Sequence, residues 1–198
     1  HFLELPRELL ITTMKYHQKY FPLENKHGDL LPYFITISNV QPGPGGEISR
    51  GNERVLRARL QDARFFFDED RKKRLEDFVA LLKDVTFQKS LGTSYEKVNR
   101  IVALTEFLAT EVCPKKIKQA SRAAWLCKAD LVTQMVYEFP ELQGVIGGYY
   151  AEHSGEDSEV CLAIKEHYRP AFSGDSPPSN PVGSIVSIAD KLHTILGC

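Results

Sequence analysis

The chain has 198 residues, of which 42% are hydrophobic and 26% are charged, and its formal net charge is −1. These values are typical of one large or two small globular domains, and the balanced charge excludes a general attraction to nucleic acids or membranes. Because no apolar run approaches the ~20 residues that a membrane span needs, we expect a cytoplasmic protein that does not associate with membranes.

The cysteines and the two ends of the sequence give two further indications. None of its four cysteines lies in a Cys-x-x-Cys pair, so we expect reduced, mostly buried thiols rather than disulfides or a zinc site. The sequence starts without Met and stops just after a helical pattern. We therefore interpret it as an internal part of a longer protein.

The first 46 residues predict the C-terminal end of an α+β domain. Helical spacing covers residues 6–19, and two β-like runs at 19–24 and 30–39 flank a Gly-containing loop. Two strands alone are marginally stable, so we expect this hairpin to complete a sheet formed with upstream strands. The run Gln-Pro-Gly-Pro-Gly-Gly at 41–46 predicts a hinge and a domain boundary.

The rest of the chain shows helical periodicity. Apolar stripes predict helices at about 52–70 and 74–87, within a connecting basic segment that spans residues 47–90. Residues 91–198 are predicted to form a helical domain. Its expected helices cover about 91–113, 115–138, 141–152, 156–168 and 182–196, with a capping box at Thr93 and Glu96 and a loop at 170–181. The predicted fold is therefore mainly α, with strands confined to about 19–40.

A basic stretch at residues 50–74 holds nine Lys or Arg residues and five acidic residues. Arg54, Arg57 and Arg64 lie on the side of the predicted helix opposite its apolar stripe. Arginine suits RNA because its planar guanidinium pairs with phosphate and stacks on bases. These three residues are our RNA-binding candidates. The alternative is a solvated helix face with i,i+4 ion pairs, such as Glu53 with Arg57.

Three potential metal or phosphate ligands, Asp130, His167 and Asp190, lie in helical patterns of the last third. Their order and spacing resemble the HD superfamily of helical phosphohydrolases. The pattern is broken, because Ala129 replaces the His of the His-Asp pair and Lys97 lies near the position of the first-helix His. The resemblance implies an HD-like helical domain. It also leaves an alternative function open, a metal-dependent phosphohydrolase acting on a nucleotide or phosphodiester.

A hydrolytic metal needs several convergent ligands and an open position for water. With Ala129 in the pair, we expect no catalytic residue and no tightly bound catalytic metal at these positions, and a single weakly held ion is the alternative. The carboxylates of Asp130 and Asp190 are instead expected to form hydrogen bonds or ion pairs between helices, because an unpartnered buried carboxylate is costly. Their candidate partners are the nearby lysines Lys97, Lys128 and Lys191.

Nine short phrases point to a second, more specific resemblance. In chain order they are His17-Gln-Lys-Tyr-Phe-Pro-Leu, Leu31-Pro-Tyr-Phe-Ile, Gly51-Asn-Glu-Arg-Val-Leu-Arg-Ala-Arg-Leu, Asp62-Ala-Arg-Phe-Phe-Phe, Leu91-Gly-Thr, Lys128-Ala-Asp-Leu-Val-Thr, Glu138-Phe-Pro-Glu-Leu-Gln-Gly, Phe172-Ser-Gly-Asp and Ala189-Asp-Lys-Leu. The series resembles the middle of the β subunit of the bacterial heterotetrameric glycyl-tRNA synthetase, over nearly the whole chain. One departure is His193, which stands where the resemblance leads us to expect an acidic residue.

This resemblance implies a tetramer of two α and two β chains that attaches glycine to tRNA(Gly). The α subunit is implied to activate glycine with ATP and Mg, and the β subunit to bind tRNA. For this chain it implies tRNA(Gly) and the α subunit as partners, and no cofactor of its own. A purely structural spacer between tRNA-contacting domains is the remaining alternative.

Overall fold

The computed structural model describes residues 2–39 and 46–197 and is mainly helical, which confirms the predicted fold class. The chain forms two compact units, residues 1–69 and residues 70–198. The three segments that the sequence predicts, with boundaries after residues 46 and 90, stay a prediction. The hinge predicted at 41–46 lies outside the described residues except for Gly46.

The first unit begins with the predicted helix and hairpin. Helix α1 covers Arg7–Thr12 and continues as a π-helical turn over Thr13–His17. Strand β1 (Phe21–Glu24) pairs antiparallel with β2 (Leu30–Ile35). In the connecting turn, the side-chain oxygen of Asn25 accepts two backbone N–H groups, which fixes the reversal of the chain.

A long helix, α2, completes this unit and covers Glu47–Asp70. Its buried apolar residues recur at intervals of three or four, as expected for a helix with one face on a core; they are Leu56, Leu60, Ala63 and Phe67. Tyr20 stacks on Phe34 of the hairpin at 4.8 Å between ring centroids, and its hydroxyl donates to Asn52 of α2 at 3.0 Å. Tyr20 therefore connects the hairpin to α2.

The second unit is a helical bundle with one small sheet. Its elements are α3 (Leu75–Val79), β3 (Thr86–Gln88), β4 (Gly92–Thr93), α4 (Ser94–Val112), α5 (Ile117–Leu126), α6 (Gln134–Glu138), α7 (Val145–His153), α8 (Ser158–Glu166) and α9 (Pro181–Gly197). Helix α4 packs on α5 and α9, and α8 packs on α5, α7 and α9. The predicted capping box is present, since Thr93 accepts the N–H of Glu96 and Glu96 accepts the N–H of Thr93.

The prediction that strands are confined to about 19–40 is wrong. Strands β3 and β4 pair antiparallel, with Thr86 opposite Thr93 and Gln88 opposite Gly92. The helix predicted at 74–87 ends as α3 at Val79 and continues only as a 3₁₀ turn to residue 84. Thr86 and Phe87 favour extended backbone, and the reversal before Thr93 uses the positive φ of 81° at Gly92.

The single helix predicted at 115–138 is also wrong, because the chain breaks after α5. A 3₁₀ turn covers Ala129–Val132, and α6 starts only after Thr133. The Thr133 hydroxyl donates to the carbonyl of Asp130 and accepts the N–H of Val136, so it ends one turn and caps the next helix. The buried carboxylate of Asp70 accepts the first two N–H groups of α6, which supports the break from outside the segment.

The core of the second unit lies where α4, α5, α8 and α9 meet. Its fully buried side chains are mostly aliphatic and include Val98, Ile101, Leu126, Val160, Ile164 and Val186. His167 is buried among them, with no exposed surface. In the two described stretches, no helix is both long and apolar enough to cross a membrane.

Candidate functional site

The three RNA-binding candidates lie on α2 and differ in exposure. Arg54 and Arg57 are exposed. Arg64 is half-buried and forms an ion pair with Glu4 at 2.5 Å. Arg59 is also exposed, and it lies about 200° around the helix from Arg57 because each residue turns the helix by about 100°. The structure thus presents Arg54 and Arg57 to solvent and engages Arg64 within its own unit.

The second candidate site is a buried cluster around His167 and Asp190 in the helical unit. Asp190 projects from α9, and His167 follows the last residue of α8. The amino group of Lys128, just after α5, lies 2.8 Å from Nε2 of His167 and 2.6 Å from Oδ2 of Asp190. One ammonium therefore joins two of the three residues that the HD resemblance singles out.

A second lysine binds the other oxygen of the same carboxylate. The amino group of Lys97, on α4, lies 2.8 Å from Oδ1 of Asp190 and donates to Thr194 at 3.0 Å. Burial alone would raise the pKa of Asp190, but Lys128 and Lys97 outweigh it and hold that pKa well below its ordinary value. Asp190 is therefore ionised and bridges two ammonium groups.

His167 is held in one orientation by its other ring nitrogen. Nδ1 lies 2.7 Å from the carbonyl oxygen of Ile164, which makes Nδ1 the donor and leaves the lone pair of Nε2 facing Lys128. Burial, together with the positive charge of Lys128, lowers the pKa of His167 to about 3. The imidazole is therefore neutral at ordinary pH.

Asp130 has a different role from the other two residues. Its Oδ2 accepts the backbone N–H groups of Gly144 at 2.5 Å and Gly147 at 3.1 Å, at the start of α7. A Cβ at position 147 would lie 2.9 Å from that oxygen, so glycine permits this approach. Burial raises the pKa of Asp130 to about 6, although the two amide hydrogen bonds act in the opposite direction. Asp130 thus holds the N-terminus of α7, where a carboxylate also meets the positive end of the helix dipole.

The expectation of ion pairs and hydrogen bonds between helices is confirmed for Asp190 and Asp130. Lys97 and Lys128 are the partners of Asp190, as the sequence suggested. Lys191, the third lysine named, instead donates to the backbone carbonyls of Tyr168 and Arg169. Sequence reasoning missed the hydroxyl of Thr194, and it also missed the aromatic rings that face both ammonium groups.

His193, where the resemblance predicts an acidic residue, accepts a hydrogen bond from the guanidinium of Arg100 at 2.8 Å. Burial and the charges of Arg100 and Lys97 lower its pKa. Its ring nitrogen Nε2 is thus engaged by a cationic neighbour, which leaves that nitrogen no lone pair for a metal ion.

The donor set does not fit the metal that the HD resemblance implies. Nε2 of His167 and both oxygens of Asp190 face ammonium groups, and Oδ2 of Asp130 is turned toward backbone amides. Across residues 2–39 and 46–197, no group of three or more His, Cys, Asp and Glu side chains could hold a metal ion. The cluster therefore does not fit a metal-dependent hydrolytic step.

Comparison with known proteins decides the family. All of residues 1–198 match the protein family described as glycyl-tRNA synthetase beta subunit. The chain belongs to this family.

Members of the glycyl-tRNA synthetase beta subunit family from several bacteria are similar to the chain along its whole length. It is 56% identical over 197 residues to the glycine–tRNA ligase beta subunit of Trichlorobacter lovleyi and 55% identical over 197 residues to that of Geobacter sulfurreducens. It is 52% identical over 196 residues to that of Proteus mirabilis. These alignments cover 99–100% of the chain but only 28–29% of each relative, so the chain spans less than a third of their length.

Proposed function

We propose that this chain is an internal part of a glycine–tRNA ligase β subunit, and that it contributes to tRNA binding and to the scaffold of the holoenzyme. The holoenzyme would attach glycine to tRNA(Gly) with ATP and Mg, in the cytoplasm. A separate α subunit would activate glycine. The partners of this chain are then tRNA(Gly) and the α subunit, and the chain contains no catalytic residue and no cofactor of its own.

The observation that carries this proposal is the extent of the similarity. The family match includes every residue of the chain, and three relatives share 52–56% of their aligned residues with it. This similarity extends through both compact units, residues 1–69 and 70–198. It supports the same role for this stretch as for the corresponding stretch of the relatives.

Direct contact with RNA, rather than a role as a spacer, is supported by helix α2. Arg54 and Arg57 are both exposed on α2, and Arg54 lies on the side of the helix opposite its buried residues. Phosphate contacts by such side chains add affinity and orient the RNA without reading its sequence. We therefore assign to α2 a non-specific share of the tRNA affinity, while glycine activation takes place elsewhere in the holoenzyme.

The HD resemblance is assigned to architecture rather than to hydrolysis. We propose that residues 91–198 form an HD-like helical domain, that 47–90 connect it to the preceding segment, and that the hairpin within 1–46 completes an upstream sheet. The phosphohydrolase alternative is disfavoured because the nitrogen and oxygen donors at His167 and Asp190 are engaged by lysines.

Two assays on the intact α and β subunits test this assignment. The complex is expected to attach glycine to tRNA(Gly) in the presence of ATP and Mg. With Mn²⁺ and bis(p-nitrophenyl) phosphate, it is expected to show no turnover above a protein-free control. Phosphodiester turnover that disappears in Asp190→Asn but persists in Glu159→Gln would favour the hydrolase instead, because Glu159 lies in an exposed ion pair outside the cluster.

A further inference from the structure

The ammonium of Lys128 has the environment of a bound cation. It faces Nε2 of His167 at 2.8 Å and Oδ2 of Asp190 at 2.6 Å, and all three side chains are buried. The Nδ1–H of His167 donates to the carbonyl of Ile164, which is also how a metal-binding histidine is usually oriented. The ring of Tyr168 lies 3.7 Å from the same nitrogen and adds a cation–π contact.

The ammonium of Lys97 extends the cluster by one more cation. It faces Oδ1 of Asp190 at 2.8 Å, the hydroxyl of Thr194 at 3.0 Å and the ring of Phe87 at 4.2 Å from its centroid. Each oxygen of the Asp190 carboxylate therefore has its own ammonium, and an aromatic ring shields each ammonium. Such polar and aromatic partners are what a buried charge requires.

The groups in contact within the cluster carry no excess negative charge. Lys97 and Lys128 contribute two positive charges, Asp190 contributes one negative charge and His167 is neutral. A divalent ion added beside these groups would add uncompensated positive charge to a buried site, which is unfavourable.

We propose that this cluster is a primary-ammonium site whose resident cation is the side chain of Lys128, and that this lysine excludes divalent metal ions from His167 and Asp190. The site joins four segments through charge, since Lys97 lies on α4, Lys128 follows α5, His167 follows α8 and Asp190 lies on α9. The internal cation thus replaces metal binding with a link between helices. This link between helices is independent of the proposed contact with tRNA.

The test uses the intact β subunit with Lys128→Ala, which removes three methylene groups and the ammonium. Hydrogen exchange of peptides from α9 reports the local stability of the site. We expect exchange to accelerate by at least about tenfold, because removing one member of a buried ion pair is strongly destabilising. Adding n-propylammonium, which replaces the missing atoms and charge, is expected to slow exchange again, whereas n-propanol is not. Wild-type exchange is expected to respond to neither compound.

A second variant separates charge from volume. Lys128→Met keeps a side chain of similar length without the ammonium, so it is expected to exchange faster than wild type and to gain nothing from n-propylammonium. If Lys128→Met is as well protected as wild type, or if n-propylammonium fails to restore Lys128→Ala, the ammonium is not the essential feature and the proposal is wrong.

The exclusion of metal is tested on the wild-type protein with Co²⁺ alone as the probe. We expect no visible absorption band from cobalt bound to imidazole that depends on His167. A band that appears in wild type and is lost in His167→Ala would overturn the proposal. If Lys128→Ala does not accumulate as folded protein, the cobalt measurement and the Lys128→Met variant still test whether the Lys128 ammonium occupies the site.

Discussion

Asp190 has each of its carboxylate oxygens next to a different ammonium, at 2.6 and 2.8 Å. Asp190→Asn keeps the shape of the side chain but leaves Lys97 and Lys128 without their shared counter-ion. We expect a loss of roughly 3–5 kcal/mol in local stability, the usual result of breaking a buried pair from one side. Hydrogen exchange of α4 and α9 in the intact β subunit measures this loss.

Glu159→Gln is the matched control for that variant. Glu159 pairs with Lys116 at 2.6 Å, but both side chains are 36% exposed, so solvent screens the interaction. The expected loss is much smaller than that of Asp190→Asn. Equal effects of Asp190→Asn and Glu159→Gln would show that the cluster around Asp190 has no special part in stability.

Asp130 supplies a prediction about pH. Its pKa is about 6 in the folded chain and 3.8 in its ordinary range, so the folded state binds the proton more tightly. The free energy of unfolding therefore falls as the pH rises from about 4 to about 6, by about 3 kcal/mol at 1.36 kcal/mol per unit. Asp130→Asn removes this loss, because an amide does not ionise and its oxygen can still accept the N–H groups of Gly144 and Gly147.

The measurement compares wild type and Asp130→Asn between pH 4 and pH 7. The variant is expected to gain about 3 kcal/mol relative to wild type over this window. His167 acts in the opposite direction, since its pKa of about 3 makes stability rise as the pH increases from about 3 to 6.5. That contribution is present in both proteins and cancels in the difference. Parallel stability curves would contradict the assignment of a raised pKa to Asp130.

At the scale of elements, glycine permits the close packing of α7 on α8. A Cβ at position 148 would lie 2.8 Å from the Cβ of Lys165 and 3.0 Å from the carbonyl oxygen of Cys161. Gly148→Ala is therefore expected to lose roughly 1–3 kcal/mol through overpacking. Gly51→Ala is the control, because position 51 is helical and has nothing within 4 Å of an added Cβ. It is expected to gain about 0.5–1 kcal/mol from helix propensity.

Local hydrogen exchange in the intact subunit is the readout for both glycine variants. If Gly148→Ala loses stability and Gly51→Ala gains stability, the result agrees with the close packing of α7 on α8. If Gly148→Ala is as stable as wild type, the two helices are not in tight contact at that point, and the glycine there has another explanation.

Elements predicted correctly from the sequence are those whose signals lie within the element. The capping box of α4 needs only Thr93 and Glu96, and the helical periodicity of α2 and α9 is likewise local. The break after α5 combines a local cap at Thr133 with a distant partner, Asp70, whose carboxylate accepts the first N–H groups of α6 from more than sixty residues earlier in the chain. Asp70 lies outside residues 115–138, so the local sequence of that segment cannot reveal its contribution.

In the candidate site, likewise, the sequence identifies residues but not the contacts between distant parts of the chain. The resemblance to the HD superfamily singles out Asp130, His167 and Asp190. Charge complementarity suggests Lys97, Lys128 and Lys191 as partners, of which Lys191 is not one. The sequence could not show that one ammonium would face both His167 and Asp190, because that depends on where the ends of α5 and α8 meet α9. The orientation of Asp130 toward α7 likewise requires the folded backbone.

For the whole molecule, the balanced net charge of −1 means that the proposed RNA binding would depend on local clusters of positive charge. On α2, Arg54 and Arg57 are exposed, whereas Arg64 is paired with Glu4. We expect Arg54→Ala and Arg57→Ala each to weaken tRNA binding by roughly 0.5–1.5 kcal/mol through lost phosphate contacts. Arg64→Ala is expected to have a smaller effect, because its guanidinium already has a partner.

The salt dependence of tRNA(Gly) binding by the intact complex decides whether α2 contacts RNA. Arg59→Ala serves as control, because Arg59 is exposed on α2 but lies on another side of the helix from Arg57. With Arg54→Ala or Arg57→Ala, the slope of log affinity against log salt is expected to fall by somewhat under one unit, since fewer counterions are released. The tRNA KM should rise, while ATP-dependent glycine activation and the Arg59→Ala variant stay at wild-type values. Unchanged slopes and unchanged tRNA KM in both variants would contradict a role for α2 in binding tRNA.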